Sequence, residues 1–159
     1  MVKAFRIFKT KHSASWFDGE GARLYGGRWN SQGVRLLYTS ATLSLAALEI
    51  LVHIGDQGLL SAYSFATVEF ADESILPIDD LGKLPADWSS SPAPIKLQQI
   101  GDAWASSVRS AVLRVPTSIV PGEYNYLANL DHPDAAKYTF GNATPFLFDG
   151  RLSGKGKNR

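Results

Sequence analysis

A single carboxylate in an apolar run constrains this chain more than any other feature. Residues 42–54, TLSLAALEILVHI, are too long for a buried strand and rich in Leu and Ala, which predicts a helix whose only charged residue is Glu49. At helical spacing Glu49 is flanked by Leu45, Ala46, Val52 and His53, and the Lys or Arg four residues on that would partner a solvated glutamate is missing. The helix therefore carries Glu49 on a partly buried face. An ionised carboxylate there is costly unless it is paired or hydrogen-bonded. Two readings remain: a structural residue that pairs with an arginine or edges into solvent, and a catalytic anion. Arg28 and Tyr38, just upstream, favour the second.

The stretch before that helix is unusual as well. Gly19, Gly21, Gly26, Gly27 and Gly33 form a glycine-rich loop that carries Arg23, Arg28 and Trp29, and such glycines suit a backbone that bends through positive φ or approaches a ligand. VRLLYTS then reads as a short strand containing Tyr38. The chain opens on another strand, VKAFRIF, in which Ala4, Arg6 and Phe8 share one face and Phe5 and Ile7 the other. Arg6 is thus a cation inside an apolar strand. It either snorkels from a sheet edge or presents a fixed guanidinium to an anion.

Further along, 59–70 reads as a strand, Ile75 to Ile78 as a short apolar piece, and Leu81 to Pro94 as a surface loop rather than a linker. Ile100, Trp104, Val108 and Ala111 or Val112 recur at helical spacing from Ile95 to about Leu113, which makes Trp104 a core residue. SIV, between Pro116 and Pro121, reads as a strand fragment holding Ser118, whose hydroxyl would otherwise bond local backbone. NYLANLDHP, with Asn125, Asn129 and His132, reads as a polar loop, and Tyr138 to Phe140 and Thr144 to Phe148 as closing strands. The tail SGKGKNR, 153–159, is basic and expected to be disordered. One domain over 1–152 accounts for the rest, since 159 residues at 45% hydrophobic content suit one core.

Several functions are disfavoured. A net charge of +1 without a basic block before the tail gives no electrostatic footprint for nucleic acid. His12, His53 and His132 lie far apart, no cysteine is present, and metal is not implied. Neither a GxSxG elbow nor a GxxxxGK[ST] loop occurs. No apolar run approaches the roughly 18 residues of a membrane span, and the N-terminus lacks a signal core. These features predict a cytoplasmic protein without a membrane segment.

The ordered set FRIF, GEGARLYGGRWNS, LYTS, AALEIL and VPTSIVPGEYNYLANLDHP closely resembles the RES-domain family, toxins of bacterial Xre–RES toxin–antitoxin pairs, from Phe5 to about Leu152. The resemblance implies an α/β (α+β) single domain similar to ADP-ribosyltransferases and diphtheria-type toxins, with central strands and flanking helices. It implies consumption of NAD+ as substrate, by attack at the nicotinamide–ribose bond. Residue by residue, it assigns Glu49, Tyr38 and Ser118 to catalysis and Arg6, Arg28, Tyr38 and Ser118 to holding NAD+. It also implies an Xre-type helix-turn-helix antitoxin as partner, and homodimerisation. The residue types agree with this chemistry. An anion beside the ribose stabilises an oxocarbenium-like state in a desolvated cleft, guanidinium groups clasp pyrophosphate, and a tyrosine ring offers a stacking face. Ser118 would bond the carboxamide or hold Glu49. Water, phosphate or a protein side chain as acceptor stays open, as does a non-catalytic nucleotide-binding module.

Overall fold

The computed structural model of the chain describes residues 1–55, 58, 59 and 61–153. Part of the turn expected at 55–58 and the basic tail from 154 onward lie outside the described residues. The elements are β1 (Val2–Lys9), α1 (Glu20–Tyr25), β2 (Leu36–Ser40), α2 (Leu43–Leu51), β3 (Tyr63–Phe70), β4 (Ile75–Pro77), α3 (Ile95–Ser107), β5 (Val112–Pro116), β6 (Tyr124–Asn129), β7 (Thr139–Phe140) and β8 (Thr144–Phe146). The fold is mixed α/β. Its strands form one eight-stranded sheet in the order β4-β5-β6-β2-β1-β3-β7, with β8 also on β3. Every pairing is antiparallel except β4 with β5.

This order forces the sheet to curl. β3 and β4 lie towards opposite ends of the path, yet only 71–74 separate them, and four residues span at most about 14 Å. Phe70 on β3 accordingly meets Tyr126 on β6, with ring centroids 6.3 Å apart. The concave face encloses an inner core of Ala4, Phe8, Leu37, Val68, Phe70 and Ala128, among others. On the outer face α2 covers Phe5, Ile7 and Phe65, while α3 and Trp29 cover Leu36, Leu113, Val115 and Leu127. Alternation along each strand divides the residues between the two faces.

β1 and β3 pair over eight residues, from Val2↔Phe70 to Lys9↔Tyr63, whereas β1 and β2 meet only at Phe5↔Ser40. Two well-laddered halves are thus joined at one residue pair. Ser40 also pairs with Asn125 on β6, so it is the point where the halves meet.

Several expectations need correction. β1 lies between β2 and β3, so Arg6 does not snorkel from an edge. The glycine-rich loop contains the short helix α1, on which Arg23 bonds Glu20 through its Nε and Nη2. α3 stops at Ser107, where Val108 turns left-handed at φ 55°; Val112 belongs instead to β5, between β4 and β6. Residues 118–120 are not a strand, and 124–129 are. Asn is disfavoured in strands, but Asn125 and Asn129 each find an acceptor outside β6, the Glu49 carboxylate and the Ala105 carbonyl, so tertiary hydrogen bonds override that preference. Among the described residues no helix is long and apolar enough to cross a membrane.

Candidate active site

α2 is aimed by its first turn. Thr42 caps it, its Oγ1 accepting from the Leu45 amide at 3.1 Å, and Leu45 and Ala46 bury its inner side. This packing turns half-buried Glu49 towards the ends of β5 and β6. There Oε1 accepts two hydrogen bonds, from the Thr117 hydroxyl at 2.8 Å and from the Asn125 amide at 2.7 Å. Oε2 accepts none among the described residues. Glu49 also forms no ion pair there. It is neither an arginine's structural partner nor a solvated surface group. Neutral donors fix one oxygen and leave the carboxylate uncompensated, with the second oxygen available.

The donors are themselves fixed. Thr117 is buried, and its Oγ1 also accepts from the Ile119 amide at 3.2 Å. Asn125 sits on the outer face of β6, paired with Ser40 and Val115, and its Oδ1 is buried without a partner among the described residues. The amide is therefore oriented by Glu49 alone.

Tyr38 stands on the same outer face of β2, against the α3 core. Its hydroxyl donates to Asn30 Oδ1 at 2.6 Å and accepts from the Trp29 amide at 3.1 Å. Gly27 makes this approach feasible, because a Cβ there would lie 2.7 Å from the hydroxyl. Burial pushes the phenol well above its usual 10.0. The hydroxyl is thus a pin for the glycine-rich loop. The same loop is tied to α3: Gln98 donates to the Gly27 carbonyl at 3.0 Å, Asp102 accepts from the amide and hydroxyl of Ser31, and Gly101 admits Trp29 so closely that a Cβ would lie 1.7 Å from the Trp29 carbonyl oxygen. Arg28, next to this pinned Trp29, donates from Nη1 to the carbonyls of Trp88 at 3.1 Å and Ser90 at 3.0 Å.

Arg6 is reached from the other side. Its side chain starts on the inner face with Ala4 and Phe8, and its Nη1 donates to the Tyr38 carbonyl at 2.9 Å, bridging the two halves beside their single residue pair. Its Nε is buried without a partner among the described residues. Burial lowers its proton affinity and Asp18 opposes this; a guanidinium stays charged regardless.

The five residues singled out in the sequence are thus placed unequally. Tyr38, Glu49 and the Arg28 loop share the outer face. Arg6 borders it from within and forms no hydrogen bond or ion pair with Glu49 among the described residues. Ser118 needs correction as the holder of Glu49: it is exposed, and the hydroxyl on the carboxylate belongs to Thr117 one position earlier. Thr117 and Asn125 were missed. Alternation from Leu113 and Val115 would have pointed to position 117 rather than 118. Among the described residues no group of three or more His, Asp or Glu comes together as a metal site.

Comparison with known proteins adds the following. The RES domain family profile matches residues 3–149. Toxin Res of Yersinia enterocolitica (serotype O:8, biotype 1B) is 38% identical over 150 residues, covering 93% of this chain and 97% of the relative. Prs ADP-ribosylating toxin of Sphingobium sp. (strain YBL2) is 36% identical over 143 residues, 89% of each. Among solved structures, the M. tuberculosis MbcT–MbcA toxin–antitoxin complex contains a chain of the same fold, with a TM-score of 0.76 at 18% identity over 96% of this chain and 87% of that one.

Proposed function

This chain belongs to the RES-domain family, and on that premise we propose that it is the toxin of a toxin–antitoxin pair and consumes NAD+ by cleaving the nicotinamide–ribose bond. The observation that carries the reading is the Glu49 carboxylate, anchored through Oε1 by two neutral donors, with Oε2 bonded to none of the described residues. As the bond from the anomeric carbon to the nicotinamide nitrogen breaks, its electron pair leaves with neutral nicotinamide and positive charge grows on the ribosyl ring. A fixed anion beside that ring stabilises the developing charge, because its field is in place before reaction. An acceptor oxygen then bonds to the anomeric carbon and releases its proton to solvent. Arg28 and Arg6 suit the pyrophosphate, and the Tyr38 ring, held at its hydroxyl end, suits the nicotinamide or ribose.

Protein ADP-ribosylation is a second reading, favoured by the Sphingobium relative, which is named an ADP-ribosylating toxin. An antitoxin partner is supported by the names of the relatives and by the solved toxin–antitoxin complex. Its helix-turn-helix type, homodimerisation and action on the cytoplasmic NAD+ pool belong to this proposal.

The test is incubation of pure protein with NAD+, with and without inorganic phosphate and with and without host extract, followed by mass analysis. Nicotinamide with ADP-ribose, with its phosphate ester, or with modified protein identifies the acceptor. Unchanged NAD+ in all arms would overturn the proposal. Expressed alone, the wild-type chain should arrest growth and Glu49→Gln should not.

A further inference from the structure

The side of α3 turned away from Trp29 borders an open apolar groove, which runs between that helix and segment 78–84. Two adjoining cavities of about 260 and 330 Å3 form it and share Leu81, Lys96 and Ile100. Leu84 adds to its apolar lining, and buried Ile78 and Trp104 form its floor. At the ends of α3 large apolar side chains stand in water: Ile95, its first residue, is 72% exposed and Val108, just past its last, 46%.

The charged side chains that line this groove are of one sign. Lys83, Lys96 and Arg109 line it, and no carboxylate does. None of the three forms an ion pair among the described residues. Of the nearby acids, Asp102 is committed to Ser31, and exposed Asp79 and Asp80 flank the groove without lining it. In a chain of net charge +1, three unpaired cations around an apolar trough are a local asymmetry, and they select a partner with the opposite pattern.

We propose that this groove docks an acidic amphipathic helix of a partner protein, with its apolar stripe on Leu81, Leu84 and Ile100 and its carboxylates on Lys83, Lys96 and Arg109. A helix suits the groove because apolar side chains at three- and four-residue spacing fill such a trough while flanking positions meet its rim. A second copy of this chain does not supply it. α1, α2 and α3 each carry one acidic residue, Glu20, Glu49 and Asp102, and all three are already hydrogen-bonded within the chain. The opposite side of α3 holds the glycine-rich loop through Gln98 and Asp102, so a helix docked here leaves Glu49 uncovered. This inference does not rest on the NAD+ reading.

The test titrates the full chain with a fluorescein-labelled 14-residue helical peptide, Leu at positions i, i+3, i+4 and i+7 and Glu elsewhere, and reads anisotropy at two salt concentrations. Two control peptides replace Leu with Ser, or Glu with Lys. The acidic amphipathic peptide should bind in roughly the 10–100 µM range and each control at least about tenfold more weakly. Charge reversal at Lys83→Glu, Lys96→Glu and Arg109→Glu together should weaken it about tenfold while the melting temperature and NAD+ consumption stay unchanged. Should that variant unfold, hydrogen exchange on the wild type provides the second readout, with protection expected at 78–84 and 96–109. Absence of binding at 1 mM, equal binding of the Ser peptide, affinity indifferent to charge reversal, or protection elsewhere would overturn the proposal. Self-association of the chain abolished by the triple variant would also overturn it, by assigning the groove to a second copy.

Discussion

Replacing Thr117 with Val removes one hydroxyl from the Glu49 anchor and changes little else in shape. That hydroxyl donates to a carboxylate at 2.8 Å, and hydrogen bonds to charged groups contribute about 1.5–3 kcal/mol. Asn125 remains on the same oxygen, so Glu49 keeps an anchor but gains a degree of freedom. If most of the lost interaction is felt as charge develops on the ribose, kcat falls about 10- to 100-fold, at about 1.4 kcal/mol per decade, and KM moves far less. Stability falls as well, because the Ile119 amide loses its acceptor; an unpaired amide costs about 1 kcal/mol, or roughly 2–4 °C in a chain of this size. Thr117→Ser restores both bonds and should restore the rate. Ser118→Ala should leave the melt and the Glu49 anchor unchanged. Nicotinamide release at varied NAD+, with a thermal melt for each variant, measures all of this. Thr117→Val within about twofold of wild type, or Thr117→Ser losing as much as Thr117→Val, would refute the reasoning.

Other outcomes follow from the same geometry. Glu49→Gln keeps an acceptor for Thr117 and Asn125 but removes the anion, so NAD+ turnover should drop by about a thousandfold or more with an unchanged far-UV spectrum; a small rate loss would place the catalytic charge elsewhere. Gly101→Ala drives a methyl into the Trp29 carbonyl oxygen, where a Cβ would lie 1.7 Å away. Overpacking of this kind costs about 1–3 kcal/mol or more, so the melt should fall by several degrees and turnover should fall with the displaced loop. Burial raises the phenols of Tyr38 and Tyr138 above their usual 10.0. Their contribution is complete below pH 10 and is lost as pH rises further, since the unfolded chain ionises first. Urea midpoints should therefore decline between pH 9.5 and 11, and less steeply in Tyr38→Phe, whose own cost at neutral pH is about 1–3 kcal/mol from the unpaired Trp29 amide and Asn30 carbonyl.

Much of the site could be read from the residues. Glu49 stands out because an acid amid Leu, Ala and Ile has nowhere innocuous to go, and the structure holds it half-buried on hydroxyl and amide donors. The fold class and β1, β2, β3 and α2 were legible from their periodicity. Thr117 and Asn125 were harder to find, since each matters only through a partner 68 or 76 residues away. Local composition made 124–129 look like a loop; its asparagines fit a strand only because Glu49 and the Ala105 carbonyl receive them. Val108 ended α3 early by adopting positive φ, a conformation β-branched residues seldom signal. The role of Arg6 likewise could not be read from its strand alone, because the sheet order that makes β1 internal depends on pairings far along the chain.

The long sequence separation between Glu49 and its two donors bears on synthesis. A ribosome delivers the acid early, while the hydroxyl and amide that orient it emerge 68 and 76 residues later. Until β5 and β6 have cleared the exit tunnel and joined β2, the acid has no fixed direction, so on the reading of Glu49 as the catalytic anion a nascent or truncated polypeptide would not turn over NAD+. Potency would therefore arrive with completion of the last third, leaving the interval of translation for a neutralising protein to accumulate.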